Sequence, residues 1–112
     1  MHTDRGTDET ADSVLVALAD PMRRQLLDLL AARGEATATT LADGLPVSRQ
    51  AVVKHLAVLD DAGLVSGSRV GREMRYAVQP AALDTTARWM ANLAADWDRR
   101  LAYIKRIAEA GE

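Results

Sequence analysis

The sequence of 112 residues contains no cysteine and no phenylalanine, and its aromatic residues are two tryptophans and two tyrosines. Without cysteine there is no disulfide framework, thiolate metal site or cysteine nucleophile. Two histidines without any cysteine supply too few of the ligands that zinc and copper prefer, so we expect no metal site. Few aromatic residues in a chain rich in alanine and leucine favour helices packed through aliphatic side chains over a β-sandwich.

The chain also lacks an apolar run of about 18 residues, the length that spans a bilayer. The polar N-terminus is not followed by the apolar core of a signal peptide. We therefore expect a cytoplasmic protein with no membrane partner. Nor do we find a Ser-His-Asp set or a glycine-rich phosphate loop, so an enzyme and a bound cofactor are not expected.

An overall basic excess is missing as well, since the formal net charge is −2. The charges are unevenly distributed, however. Residues 1–47 carry four basic and eight acidic side chains, whereas residues 48–76 carry five basic and three acidic ones. Electrostatic repulsion between the protein and phosphates is therefore expected to be smallest at the second segment.

That segment begins with a pattern typical of a helix over residues 48–62. Ser48 is a suitable N-cap, and Val52, Leu56 and Leu59 recur at helical spacing on an inner face. A brief helix at 41–44, capped by Thr39 or Thr40, and a turn containing Pro46 precede it. Short helix, turn and longer helix predict a helix-turn-helix. Its outward positions are Ser48, Arg49, Gln50, Val53 and Lys54.

Residues 64–78 predict a β-hairpin. The first strand starts at Leu64, and residues 74–78 form the second. The loop between them, residues 67–73, has Gly67 and Gly71 at turn positions. A hairpin directly after a helix-turn-helix is a wing. Its arginines, Arg69, Arg72 and Arg75, suit the negative potential of a minor groove.

Two helices precede this motif. Residues 1–11 lack periodicity and predict a disordered tail, and residues 12–112 predict a single domain. A first helix over 12–19 places Val14, Leu15 and Leu18 on one side. A second over 21–33 begins with Asp20-Pro21 and ends at Gly34.

Residues 80–109 predict a long helix with an apolar seam of alternating spacings of four and three. Because a helix of this length, about 45 Å, exceeds what so small a domain covers, the seam indicates a second chain. The alternatives are a helix folded back on its own core or broken near Asn92. The expected dimer interface comprises Val14, Leu15, Leu18, Leu83, Ala87, Met90, Ala94, Trp97, Leu101 and Ile104.

Three segments resemble the ArsR-type family of winged helix-turn-helix repressors: LADPMRRQLLDLL (18–30), LPVSRQAVVKHLAVLDDAGLV (45–65) and GREMRYAV (71–78). The resemblance implies a mostly α fold with a small β-hairpin (α+β), a long C-terminal dimerisation helix, and a homodimer that represses its own operon. It also implies an effector that releases DNA. Metal-sensing members carry cysteines in the recognition helix or Asp and His ligands on the C-terminal helices. This chain departs from both patterns, which predicts a member without metal sensing, responsive at most to an unidentified small molecule.

A symmetric dimer would place two recognition helices in successive major grooves of double-stranded DNA, on an inverted-repeat operator. Arg49 and Gln50 are the candidates for base edges, and Val53 for a thymine methyl. Ser48 and Lys54 are placed for phosphates. The alternative function is a winged-helix module that binds another protein and not DNA.

Overall fold

The computed structural model describes residues 5–111, and within that range it contains five helices and a three-stranded antiparallel sheet. In chain order the elements are α1 (Arg5–Leu18), α2 (Pro21–Arg33), β1 (Ala36–Thr37), α3 (Ala38–Asp43), α4 (Arg49–Asp61), β2 (Val65–Val70), β3 (Glu73–Val78) and α5 (Ala81–Ala110). Helices α3 and α4 form the helix-turn-helix, and β2 and β3 form the wing. The mostly helical winged architecture is the one the sequence predicts. No helix in the described range is both long and apolar enough to cross a bilayer.

The sheet has the order β1-β3-β2 and contains a longer hairpin than the sequence suggests. The predicted loop at 67–73 is wrong, because Gly67 lies inside β2 opposite Tyr76. A β-carbon at Gly67 would come within 3.1 Å of the Tyr76 ring, so the glycine makes room for an aromatic neighbour and does not form a turn. The reversal occurs at Gly71, whose φ of +64° suits glycine.

Local signals set the ends of α2 and α3. The Asp20 carboxylate accepts hydrogen bonds from the Met22 amide at 2.7 Å and the Arg23 amide, and Pro21 occupies the first helical position, as expected. The predicted cap of α3 is wrong: Thr37, not Thr39 or Thr40, accepts the Thr40 amide at 3.1 Å. Thr37 ends β1 and so has the extended backbone that an N-cap requires.

Helix α1 starts earlier than expected. Residues 5–11, assigned to a disordered tail, form its first two turns, and residues 1–4 of that tail lie outside the described range. Ala11 is fully buried, and the Trp89 indole N–H donates to Asp8 at 2.7 Å. These turns are ordered because α5 covers them, a contact that the polar composition of the segment does not reveal.

The core lies where α1, α2, α3 and α4 meet above the sheet. It is built from aliphatic side chains at helical spacing, and burial of each leucine contributes about 1.5–3 kcal/mol. One dimer-interface prediction is wrong, because Val14 is fully buried in this core and cannot reach a second chain. Leu18 also packs partly against it. The largest fully buried side chains are Leu26, Leu30, Leu41, Leu56, Leu59, Leu64, Val14, Val52 and Val65.

Helix α5 is continuous over 30 residues, so it is not broken near Asn92. At 1.5 Å per residue it is about 45 Å long. Its first half packs on α1, and Thr86 is its buried side chain. The second half extends away from the other elements, which gives the molecule extents of 70 × 28 × 20 Å.

Candidate nucleic-acid interface

The first two turns of α4 present a polar outer face. The Ser48 hydroxyl accepts the Ala51 amide at 3.1 Å, which confirms Ser48 as the N-cap. Because Val52, Leu56 and Leu59 are fully buried, the helix has a fixed inner side. Five of the side chains singled out from the sequence lie together and exposed at this end of the helix, namely Ser48, Arg49, Gln50, Val53 and Lys54.

Arg49 is held by Thr39, a residue that the sequence suggested only as a helix cap. Its Nε–H donates to the hydroxyl of Thr39, in α3, at 3.1 Å. The terminal nitrogens of the guanidinium remain available, and those are the donors that pair with a guanine edge. A threonine ten positions earlier carries no sequence signal for this role, because the contact depends on how α3 and α4 cross.

The tip of the wing carries two exposed arginines. Arg69 lies in β2 and Arg72 follows Gly71 in the turn. Within the described part of the chain, neither side chain forms a hydrogen bond or an ion pair. A groove of about 560 Å³ separates α4 from the wing, and Arg49, Val53, Arg72 and Tyr76 are among the residues that line it. The structure thus brings the helix and the wing tip to one surface.

Arg75 is placed differently from the other two arginines of the wing. Its guanidinium is paired with Glu35 at 3.2 Å and with Glu73 at 3.3 Å. The hydrogen bonds that Arg75 donates to these two carboxylates, the one to Glu35 first, raise the pKa of Arg75 above its ordinary value. Glu35 directly precedes β1, so Arg75 connects the wing to the rest of the sheet while its charge is largely balanced.

A stripe of apolar side chains lies exposed along α5. Trp97, Leu101 and Ile104 are 56%, 64% and 60% exposed, and Met90 is 52% exposed. Leu83, Ala87 and Ala94 continue the stripe toward the start of the helix, and Leu15 of α1 is also exposed. A surface of this composition on a polar, charged helix marks a site of protein contact.

Comparisons with known proteins agree with this geometry. A family model described as a helix-turn-helix domain matches residues 18–67. The chain is 33% identical to the transcriptional repressor SdpR of Bacillus subtilis over 72% of its own length and 89% of the relative's. It is 48% identical to the solved structure of an ArsR-like transcriptional regulator from Rhodococcus sp. RHA1, with a TM-score of 0.82, covering 92% of this chain and 96% of that one.

A second solved structure is described as a homodimeric winged helix-turn-helix DNA-binding domain from Mycobacterium bovis. It is 29% identical to this chain, with a TM-score of 0.62, and the match covers 91% of this chain and 93% of that one.

Proposed function

The chain belongs to the ArsR-like family of winged helix-turn-helix DNA-binding transcriptional regulators, and on that premise we propose that it is a homodimeric autorepressor of an inverted-repeat operator. The observation that carries the proposal is the shared surface of α4 and the wing. It presents Arg49, Gln50, Lys54, Arg69 and Arg72 on one side of a chain whose net charge is negative.

In this proposal α4 enters the major groove from its N-terminal end. Arg49 pairs with a guanine through its terminal nitrogens while Thr39 holds its Nε. Gln50 reads an adenine, and Val53, 37% exposed, contacts a thymine methyl. Ser48 and Lys54 contact phosphates, together with the free amides at the start of the helix.

The wing contacts the adjacent backbone or minor groove through Arg69 and Arg72. Arg75 has a more limited role, since Glu35 and Glu73 already neutralise it. We assign it to fixing the direction of the wing, and the two arginines at the tip to DNA.

The second chain covers the stripe on α5. Its residues are symmetric about the midpoint between positions 95 and 96: Leu83 and Ala108 are equidistant from it, as are Ala87 and Ile104, Met90 and Leu101, and Ala94 and Trp97. An antiparallel pair of α5 helices would therefore set alanines opposite large side chains in three of four layers, which fills space evenly.

Charge supports the same arrangement. In the antiparallel pair Lys105 lies beside Asp84 of the second copy, next to the seam, so opposite charges meet across it. The relative from Mycobacterium bovis is described as homodimeric, which also favours a second copy as the occupant of the stripe.

The function is tested by titrating the full chain into fluorescent DNA from its own upstream region at two salt concentrations, with scrambled DNA as the control. We expect saturable binding that is tighter for the upstream DNA. In this proposal Lys54, Arg69 and Arg72 neutralise three phosphates per copy and six in the dimer, which gives a slope of log K against log salt of about −5. No binding at low salt would overturn the proposal and favour the protein-interaction module.

A further inference from the structure

Arg23, in the first turn of α2, is a charged side chain that lies mostly inside the protein, with 15% of it exposed. Its Nε–H donates to the carbonyl of Ala17 at 2.7 Å, and Nη2 donates to the carbonyl of Val16 at 3.1 Å. Nη1 lies 3.6 Å from the carboxylate of Asp20 and 3.5 Å from Nδ1 of His55. All three guanidinium nitrogens therefore have partners, and these partners come from different parts of the fold.

The hydrogen-bond and ion-pair partners of Arg23 lie in three different parts of the structure, namely α1, the N-cap of α2 and α4. Val16 and Ala17 are in the last turn of α1, the helix that packs along α5. Asp20 is the N-cap of α2. His55 is in the middle of α4, the proposed recognition helix. One guanidinium thus joins the side of the molecule that carries the apolar stripe to the helix that carries the DNA-facing residues.

The contact with α4 is directional, unlike the apolar packing of that helix. Val52, Leu56 and Leu59 fix the inner side of α4 through burial, but because burial is non-directional it restrains small rotations about the helix axis less sharply than a hydrogen bond does. His55 is two positions from Val53, so its side chain leaves α4 on roughly the opposite side from the groove. Because a guanidinium can only donate, Nδ1 of His55 is the acceptor for the Arg23 N–H there.

We propose that Arg23 is a positioning residue for operator recognition, which sets the rotation of α4 through His55 so that Arg49 and Gln50 meet the base edges. This inference rests on the proposed function. A charged donor fixed by two backbone carbonyls is a rigid support, and recognition side chains need such support to hold their geometry. Arg23 itself does not touch DNA.

The experiment measures operator affinity for the full chain carrying Arg23→Lys, His55→Leu, or both. Lysine keeps the charge but cannot satisfy four partners, and leucine removes the acceptor while keeping helix propensity. We expect each single change to weaken binding about tenfold, the scale of one lost charge-assisted hydrogen bond. The double variant is expected to bind no more weakly than either single variant, because both changes break the same contact.

Two matched controls separate positioning from general stability. Arg24→Lys alters a neighbouring guanidinium that donates to the carbonyl of Leu18, also at the end of α1, and it should leave operator affinity within about twofold. His55→Gln keeps a hydrogen-bond acceptor and should retain most of the affinity. Unfolding midpoints are measured in parallel to ensure that binding is compared on folded protein.

Additive losses in the double variant would overturn the inference, since His55 would then act independently of Arg23. The inference would also be overturned if Arg23→Lys lowered the unfolding midpoint but left the operator affinity equal to that of the unaltered chain. If the unaltered chain does not bind its upstream DNA, the proposed function fails. If it binds and the two changes do not couple, only the positioning role fails.

Discussion

Arg49 and Lys54 lie on the same exposed face of α4, yet their surroundings predict different roles. Arg49 is restrained by Thr39, whereas Lys54 is exposed one turn later. We predict that Arg49→Ala relaxes the preference for one base pair per half-site by about 1–3 kcal/mol. Lys54→Ala should weaken binding to all sequences alike and reduce the salt slope by about 1 per copy.

Affinities for the operator and for single-base variants of it, at several salt concentrations, check both statements. The roles assigned to Arg49 and Lys54 would be contradicted if Arg49→Ala left discrimination unchanged or if Lys54→Ala altered it. Thr39→Val, which removes the hydroxyl but keeps the side-chain shape, is a useful companion, because it should reproduce part of the Arg49 effect without removing the guanidinium.

The sequence predicts the exposed residues of α4 well because a helix-turn-helix is a local pattern: the cap, the apolar spacing and the turn all lie within twenty residues. It cannot predict partners that are distant in the chain. Glu35 is forty positions from Arg75, and His55 is thirty-two positions from Arg23. Val14 is a further example. The apolar spacing of the first helix fits a dimer interface as well as a core, so the sequence alone cannot place Val14 in one or the other.

The elements show a similar division. Helices α2 and α4 are predictable because Asp20, Ser48 and Gly34 are end signals that act within one turn. The first turns of α1 are not, because they depend on Trp89 of α5, eighty-one positions from Asp8. The wing is recognisable as a hairpin, but Gly67 resembles a turn residue until its pairing with Tyr76 is known.

The start of α2 offers a pH prediction. Desolvation alone would raise the pKa of the Asp20 carboxyl, but hydrogen bonds from the Met22 and Arg23 amides, with the Arg23 charge, lower it below the ordinary 3.8. A carboxyl with a lowered folded pKa adds stability that is fully present above 3.8 and is lost as the pH falls through the folded value. Asp20→Asn keeps a capping acceptor but does not titrate.

We therefore expect the unaltered chain to be more stable than the Asp20→Asn variant at pH 7, and the difference to shrink below pH 3.8. Urea unfolding of both proteins at several pH values measures it. Asp20→Ala, which has no acceptor, should be less stable than Asp20→Asn at every pH. A difference between the unaltered chain and Asp20→Asn that does not vary with pH would show that the charge of Asp20 contributes nothing.

At the scale of the whole molecule, the orientation of the two α5 helices is testable because the chain has no cysteine to interfere. In the antiparallel pair the two copies of residue 94 are about 4.5 Å apart along the axis, whereas the two copies of residue 87 are about 25 Å apart. We predict that Ala94→Cys forms a disulfide-linked dimer on mild oxidation and that Ala87→Cys does not.

Non-reducing gel electrophoresis distinguishes the outcomes, and both substitutions replace an exposed alanine, so each is a control for the other. Cross-linking of both variants would indicate parallel helices. Cross-linking of neither, at concentrations where the chain elutes as a dimer, would place the interface elsewhere.

The exposed end of α5 has a consequence for gene dosage. From Trp97 to Gly111 every residue of one copy is exposed, and about four turns of unsupported helix are marginal in water. In the proposed dimer these turns are covered by the second copy. Both their helicity and the concentration of dimer therefore increase with the concentration of the protein in the cell. Where most chains are single, halving that level lowers the supply of pairs about fourfold. A gene controlled by such a pair switches over a narrow range of expression, and a regulator that limits its own synthesis would hold itself near that threshold.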